Sequence, residues 1–201
     1  MNDLSDMVLA AAIESAAVKR RFFETNVRRI VGGAELLAAC LTAGGKILLF
    51  GNGGSAADAQ HMAAEFVNRF RLERRPLAAI ALTTDTSILT SIGNDYDFAQ
   101  IFAKQVQALG RAGDVAIGIS TSGNSPNVLA ALAAARDRGL HTLGIGGPAG
   151  RLAEICDLAF CVAADSTARI QETHITLMHV LCELVDRILF SPPPDPQGRN
   201  S

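Results

Sequence analysis

From residue 46 onward, short apolar runs alternate with longer stretches in which apolar residues recur every three or four positions. The runs Lys46–Phe50, Leu77–Leu82, Asp114–Ser120, His141–Ile145 and Leu158–Val162 read as strands. Between them, helices are expected over Ala56–Phe70, Thr86–Ile92, Phe98–Leu109, Pro126–Arg138 and Arg151–Cys156, with a long last helix over Ala168–Leu189. Strands that alternate with helices and are apolar on both faces predict a parallel sheet covered on both sides. Ahead of them, residues 4–30 read as one helix, Gly32-Gly33 as a break and Ala34–Thr42 as a second helix. On this pattern the sheet domain is complete from about Lys46, leaving the first 45 residues for assembly. The closing stretch "SPPPDPQGRNS", residues 191–201, reads as a disordered tail.

Composition narrows the class. The 201 residues are 49% hydrophobic and 19% charged, as in an ordinary globular domain, and long enough for one buried core. A formal charge of −2 and the lack of a Lys/Arg run give no case for nucleic acid. Asp3 and Asp6 stand where a secretory leader needs positive charge, and the first apolar run stops at Glu14. Neither a signal peptide nor a membrane span is therefore expected, and the cytoplasm is. Cys40, Cys156, Cys161 and Cys182 form no C-x-x-C pair and suit small core positions in a reducing compartment.

Two loops carry the first chemistry. "GNGGSAADAQHMAAEF" begins at Gly51, where a strand gives way to a helix, and helix starts present free N–H groups to anions. A nucleoside-triphosphate loop needs a lysine that is missing here. Gly51-Asn-Gly53-Gly-Ser-Ala56 matches a dinucleotide fingerprint formally. The acidic partner of that fingerprint is out of place, however: Glu73 precedes the second strand and Asp85 comes too late. A small phosphorylated ligand fits better, because "STSGNSP" at 120–126 repeats the arrangement at the third strand. There Ser120, Thr121 and Ser122 offer hydroxyls, Ser125 suits a helix cap and Pro126 the first helical position. The plain alternative is a pair of ordinary turns.

His61 and Glu65 share one helix face, one turn apart. An idle surface pair has the same spacing. The last helix, "RIQETHITLMHVLCELVD", offers Gln171, Glu172, His174 and His179 on a mostly apolar segment. Periodicity does not choose between the two histidines, nor between Gln171 and Glu172.

Taken together, "GNGGSAADAQHMAAEF", "GND" at 93–95, "GISTSGNS" at 118–125 and "ARIQETHITLMH" at 168–179 resemble the phosphoheptose isomerases of the sugar-isomerase (SIS) superfamily. The resemblance implies one α/β SIS domain over 1–190: a five-stranded parallel sheet, three-layered and flavodoxin-like, with helices in 1–44 serving oligomerisation. It implies interconversion of sedoheptulose 7-phosphate and D-glycero-D-manno-heptose 7-phosphate through an enediol, the first step of bacterial heptose biosynthesis.

Carried onto this chain, the resemblance puts acid–base roles on Glu65 and His179 and one zinc ion per subunit on His61, Glu65, Gln171 and His179. Substrate contacts fall on Asn52, Gly53, Gly54, Ser55, Glu65, Arg69, Asn94 and Asp95, and on Ser120, Thr121, Ser122, Ser125 and Gln171. Some members have an aspartate where this chain has Ala168, and no role is assigned there. The implied partners are the sugar phosphate and three further copies in a dihedral homotetramer, with His61 or His179 reaching a neighbour's site. No nucleic acid and no membrane are implied. The alternative within the superfamily is a non-catalytic protein that associates with a replication initiator. That branch lacks the glutamate and the second histidine that stand here as Glu65 and His179.

Overall fold

All five expected strands form and pair in parallel: β1 (Ile47–Gly51), β2 (Ala79–Ala81), β3 (Val115–Ser120), β4 (His141–Gly146) and β5 (Leu158–Cys161), in the spatial order β2-β1-β3-β4-β5. The structure is a computed structural model that describes residues 3–148 and 150–190. The predicted disorder of 191–201 lies outside the described residues. Alternate residues of β1 feed opposite cores, Ile47 and Leu49 one side and Leu48 and Phe50 the other. Both faces are thus buried, which is why these strands read as continuous apolar runs.

One face carries α1 (Leu4–Thr42), α2 (Gly54–Val67) and α7 (Thr167–Phe190), and the other α4 (Ala103–Leu109), α5 (Pro126–Asp137) and α6 (Leu152–Ile155). The chain leaves β1 toward β2 and enters β3 on the other side. The sheet therefore has its topological switch point between β1 and β3, where open α/β sheets bind ligands. Asp114 fixes the entry to β3 by accepting from the Lys46 and Arg111 backbone N–H groups and the Lys46 ammonium. Burial alone would raise its pKa; these donors outweigh burial and hold it low.

Several expectations about elements are corrected. Gly32-Gly33 does not break α1, which runs unbroken from Leu4 to Thr42. A Cβ on Gly33 would meet Leu158 and Phe160 at 3.2 Å, so this glycine lets the helix lie close against β5. Burial of Ile30, Ala34, Leu37 and Leu41 outweighs the helix penalty of about 1 kcal/mol per glycine. It follows that the first 45 residues are not an accessory, since the second half of α1 is core. Helix α2 stops at Val67 instead of Phe70, because the Glu65, Phe66 and Asn68 carbonyls accept from the Arg74 guanidinium in place of further helical N–H groups. The stretch 98–109 divides into a 3-10 turn (Phe98–Gln100) and α4. Strand β2 and α6 are shorter than expected, while α3 (Thr86–Asp95) runs slightly longer, started by Asp85 accepting from the Ile88 N–H.

Candidate active site

The two glycine loops end adjacent strands β1 and β3 and open α2 and α5 at the switch point. Gly53 caps α2 in the left-handed region, φ +53°, where a side chain would be strained. Gly51 has no room for one either: a Cβ would lie 2.8 Å from the Ile119 carbonyl oxygen. Among the described residues neither helix start is closed by the side chain of its cap residue, Gly53 or Ser125. The Ser55, Ala56 and Ala57 N–H groups donate to the Asn52 and Gly53 carbonyls, the Val128 N–H donates to Asn127 Oδ1 and Pro126 has none, so Gly54 and Asn127 carry the N–H groups these helix starts offer an anion.

Ser55 and Ser120 are buried beneath this gap. Ser120 Oγ lies 2.9 Å from Ser125 Oγ and 3.3 Å from Ser122 Oγ. Ser125 thus joins a hydroxyl cluster instead of capping α5 through its side chain. The loops are also tied together. Asn52 Nδ2 donates to Asn127 Oδ1 (2.9 Å) and Asn127 Nδ2 donates back to Asn52 Oδ1 (2.8 Å). Asn127 was not singled out from sequence, because only the approach of the two loops gives it a partner.

Farther along α2 a second cluster forms. His61 Nε2 lies 3.1 Å from Glu65 Oε1 and 3.1 Å from His179 Nε2. Donor atoms of His61, Glu65 and His179 all fall within 4.8 Å of one another. Zinc bonds of 2.0–2.1 Å at tetrahedral angles place neighbouring donors roughly 3.3 Å apart, so two imidazoles and a carboxylate in this arrangement fit such an ion. Three protein donors leave a position for a ligand. Burial lowers the His179 pKa; proximity to His61 and Arg71 adds to that, and Glu65 opposes it. The neutral imidazole, the form that binds a metal, is thereby favoured.

Tertiary packing separates the two histidines that periodicity left equal. His174 is fully buried, with Nε2 3.0 Å from the Gly146 carbonyl oxygen, and burial pushes its pKa down to about 4. It is a core histidine that holds the end of β4. Gln171 lies against the first loop: a Cβ on Gly54 would come within 2.5 Å of its Nε2. This places its amide beside the first glycine loop. Arg69 is exposed and paired with Glu73 at 3.4 Å, and Asn94 donates to Asp95 at 2.8 Å at the end of α3. Their hydrogen bonds do not join them to the loops or the trio within one chain. His61, Glu65 and His179 meet within one chain.

The SIS-domain family profile matches residues 12–147. A phosphoheptose isomerase of Solidesulfovibrio magneticus is 58% identical over 191 residues, covering 94% of each chain. The phosphoheptose isomerase structure from Neisseria gonorrhoeae superposes with a TM-score of 0.87 at 49% identity, covering 92% of this chain and 99% of that one. That from Francisella tularensis gives 0.86 at 36% identity, with the same coverage.

Proposed function

Because the chain belongs to the phosphoheptose isomerase family of SIS-domain proteins, it is an isomerase of sedoheptulose 7-phosphate in heptose biosynthesis, and we propose that Glu65 and His179 carry the proton transfers while the two glycine loops hold the phosphate. The product is D-glycero-D-manno-heptose 7-phosphate.

One observation supports this division of labour above the others. Gly54 and His61 are seven residues apart on α2, and at 1.5 Å per residue the trio stands roughly 10 Å along the axis from the loop. An extended seven-carbon sugar, at roughly 1.25 Å of reach per bond, places its C1–C2 pair a similar distance from a phosphate on C7. With the phosphate between the helix starts, the carbonyl end reaches the trio.

Ketose-to-aldose conversion removes a proton from C1, returns one to C2 and moves another between the oxygens, so the atoms balance without a redox partner. Glu65 takes and returns the carbon-bound proton, and His179 serves the oxygens. Glu65 has two carboxylate oxygens, so one can face His61 while the other faces the substrate. A zinc ion on His61, Glu65 and His179, with Gln171 as the expected fourth donor, would polarise the carbonyl and stabilise the enediolate charge, and Glu65 and His179 would have to be released from it on substrate binding to move protons. Asn52, Gly53, Gly54, Ser55 and Gln171 contact the substrate from the first loop, and Ser120, Thr121, Ser122 and Ser125 from the second. Arg69, Asn94 and Asp95 act where a neighbouring subunit closes the site. The assembly is a homotetramer, and the four free thiols suit a cytoplasmic setting.

The test is to incubate the protein with sedoheptulose 7-phosphate, unphosphorylated sedoheptulose and fructose 6-phosphate, and to follow aldose formation by NMR. The phosphorylated heptose should react far faster than either of the others, because a distant phosphate contributes only when it is present and in register. Equal rates with and without phosphate would overturn the role given to the loops.

A further inference from the structure

The segment between α2 and β2 is irregular over 68–78, yet it is pinned firmly to α7. The Arg74 side chain is 2% exposed and its Nε lies 2.9 Å from Asp186 Oδ1, while its Nη2 donates to the Glu65 carbonyl at 2.8 Å. Arg71 reaches Glu183 at 3.3 Å. Beside these anchors, the Phe70 ring lies face to face with His179, centroids 5.3 Å apart and planes at 16°. His61 meets the same imidazole at 5.0 Å and 62°.

A helix backbone fixes where a histidine starts but not the plane of its ring, because the last torsion has a broad, two-fold profile. Metal-binding histidines usually settle that plane by donating the second ring N–H to a carbonyl or carboxylate. Among the described residues, the His179 side chain has one hydrogen-bond contact, through Nε2 to His61. What lies flat against the ring instead is Phe70.

We propose that Phe70 is a positioning residue, whose ring sets the plane of His179 so that Nε2 points at His61 and Glu65. The proposal rests on the reading of His179 as metal ligand and acid–base group. The Arg74–Asp186 and Arg71–Glu183 pairs hold the segment in place, and Phe70 transmits that rigidity to the imidazole. Truncating the ring leaves the three donors present but lets one of them turn.

The experiment compares Phe70→Leu, Phe70→Tyr and His179→Ala, reading kcat, KM, melting temperature and affinity for zinc alone by competition with a chromophoric chelator. Phe70→Leu should lose about tenfold in both kcat and zinc affinity, the lower end for a residue that orients a ligand, with KM within about twofold. Phe70→Tyr, which keeps the flat face, should restore both. Should the leucine variant fail to fold, Phe70→Met takes its place with the same expected losses. A His179→Ala protein that keeps wild-type zinc affinity and turnover sinks the underlying reading of His179. If His179→Ala loses both while Phe70→Leu stays within twofold, or if Phe70→Leu raises KM alone, the positioning role is overturned.

Discussion

Asn52 and Asn127 exchange two amide hydrogen bonds, at 2.9 and 2.8 Å, across the junction of the two glycine loops. One follows β1 and the other lies in the first turn of α5, so the pair sets the spacing of the two helix starts. Asn127 also accepts from the Val128 N–H, which leaves its amide one orientation in which all these bonds form.

Replacing Asn127 with leucine removes both bonds at similar volume. KM for the sugar phosphate should rise about tenfold, the equivalent of roughly 1.4 kcal/mol, with kcat within about threefold. Inorganic phosphate should weaken as an inhibitor in parallel. Steady-state kinetics checks this, and an unchanged KM would remove the pair from the account of binding.

Glu65→Gln preserves size and a hydrogen-bonding oxygen but removes the base. Turnover should fall by ~10²–10⁴, the range typical of a general acid–base group. Discontinuous NMR assay measures it directly. Near-wild-type turnover would remove Glu65 from the proton transfers and require another base.

Gly54→Ala tests the place of Gln171. The new methyl would collide with Gln171 Nε2, the far end of a flexible side chain, which can swing away at little cost in stability. Melting should therefore hold steady, within about 1 kcal/mol, while kcat/KM falls about tenfold. Unchanged kcat/KM would show that Gln171 is not needed against the first loop.

His174 makes stability depend on pH. Its ordinary value of 6.5 drops to about 4 on burial, so below pH 6.5 the unfolded chain takes up a proton that the folded chain refuses. Stability is full above that value, falls as pH drops toward 4 and levels off below, with a total contribution of about 3 kcal/mol. Urea melts of wild type and His174→Gln between pH 7 and 4 should converge at low pH. A parallel pair of curves would refute the assignment.

The first turns of α1 leave Leu4 76%, Val8 70% and Ile13 68% exposed. Apolar helix surface of this kind is usually covered by a symmetric partner. Light scattering should find a tetramer, and Leu4→Ser, Val8→Ser and Ile13→Ser combined should reduce it to a smaller species. Deleting the whole helix is the poorer test, because Ile30, Ala34 and Leu37 belong to the core. A wild-type monomer at micromolar concentration would overturn the assembly.

Local signals carried much of the architecture. The runs at Ile47–Gly51 and Val115–Ser120 had to be strands buried on both faces, and a glycine loop directly after each had to open a helix. Those relations span only a few residues, so strand period, turn chemistry and helix start are written in the adjacent sequence. His61 and Glu65 were legible as neighbours for the same reason, being one turn apart.

What could not be read locally was decided by contacts between distant segments. His179 meets His61 across 118 positions, while His174, five residues earlier, turns into the core against Gly146. Both are histidines on one apolar helix, and only the placement of α7 against α2 and β4 distinguishes them. Gly32-Gly33 reads as a break because glycine weakens an isolated helix; packed on Leu158 and Phe160, the same glycine permits close approach and the helix continues. Asn127 and Phe70 show the same limit, since each gains a partner only when the fold brings a second segment to it. The order of strands and helices was readable in the chain, because propensity and period act over one or two turns. The tertiary structure decided which side chains converge, because burial and hydrogen bonding act between segments whose separation in the chain says nothing about their distance in space.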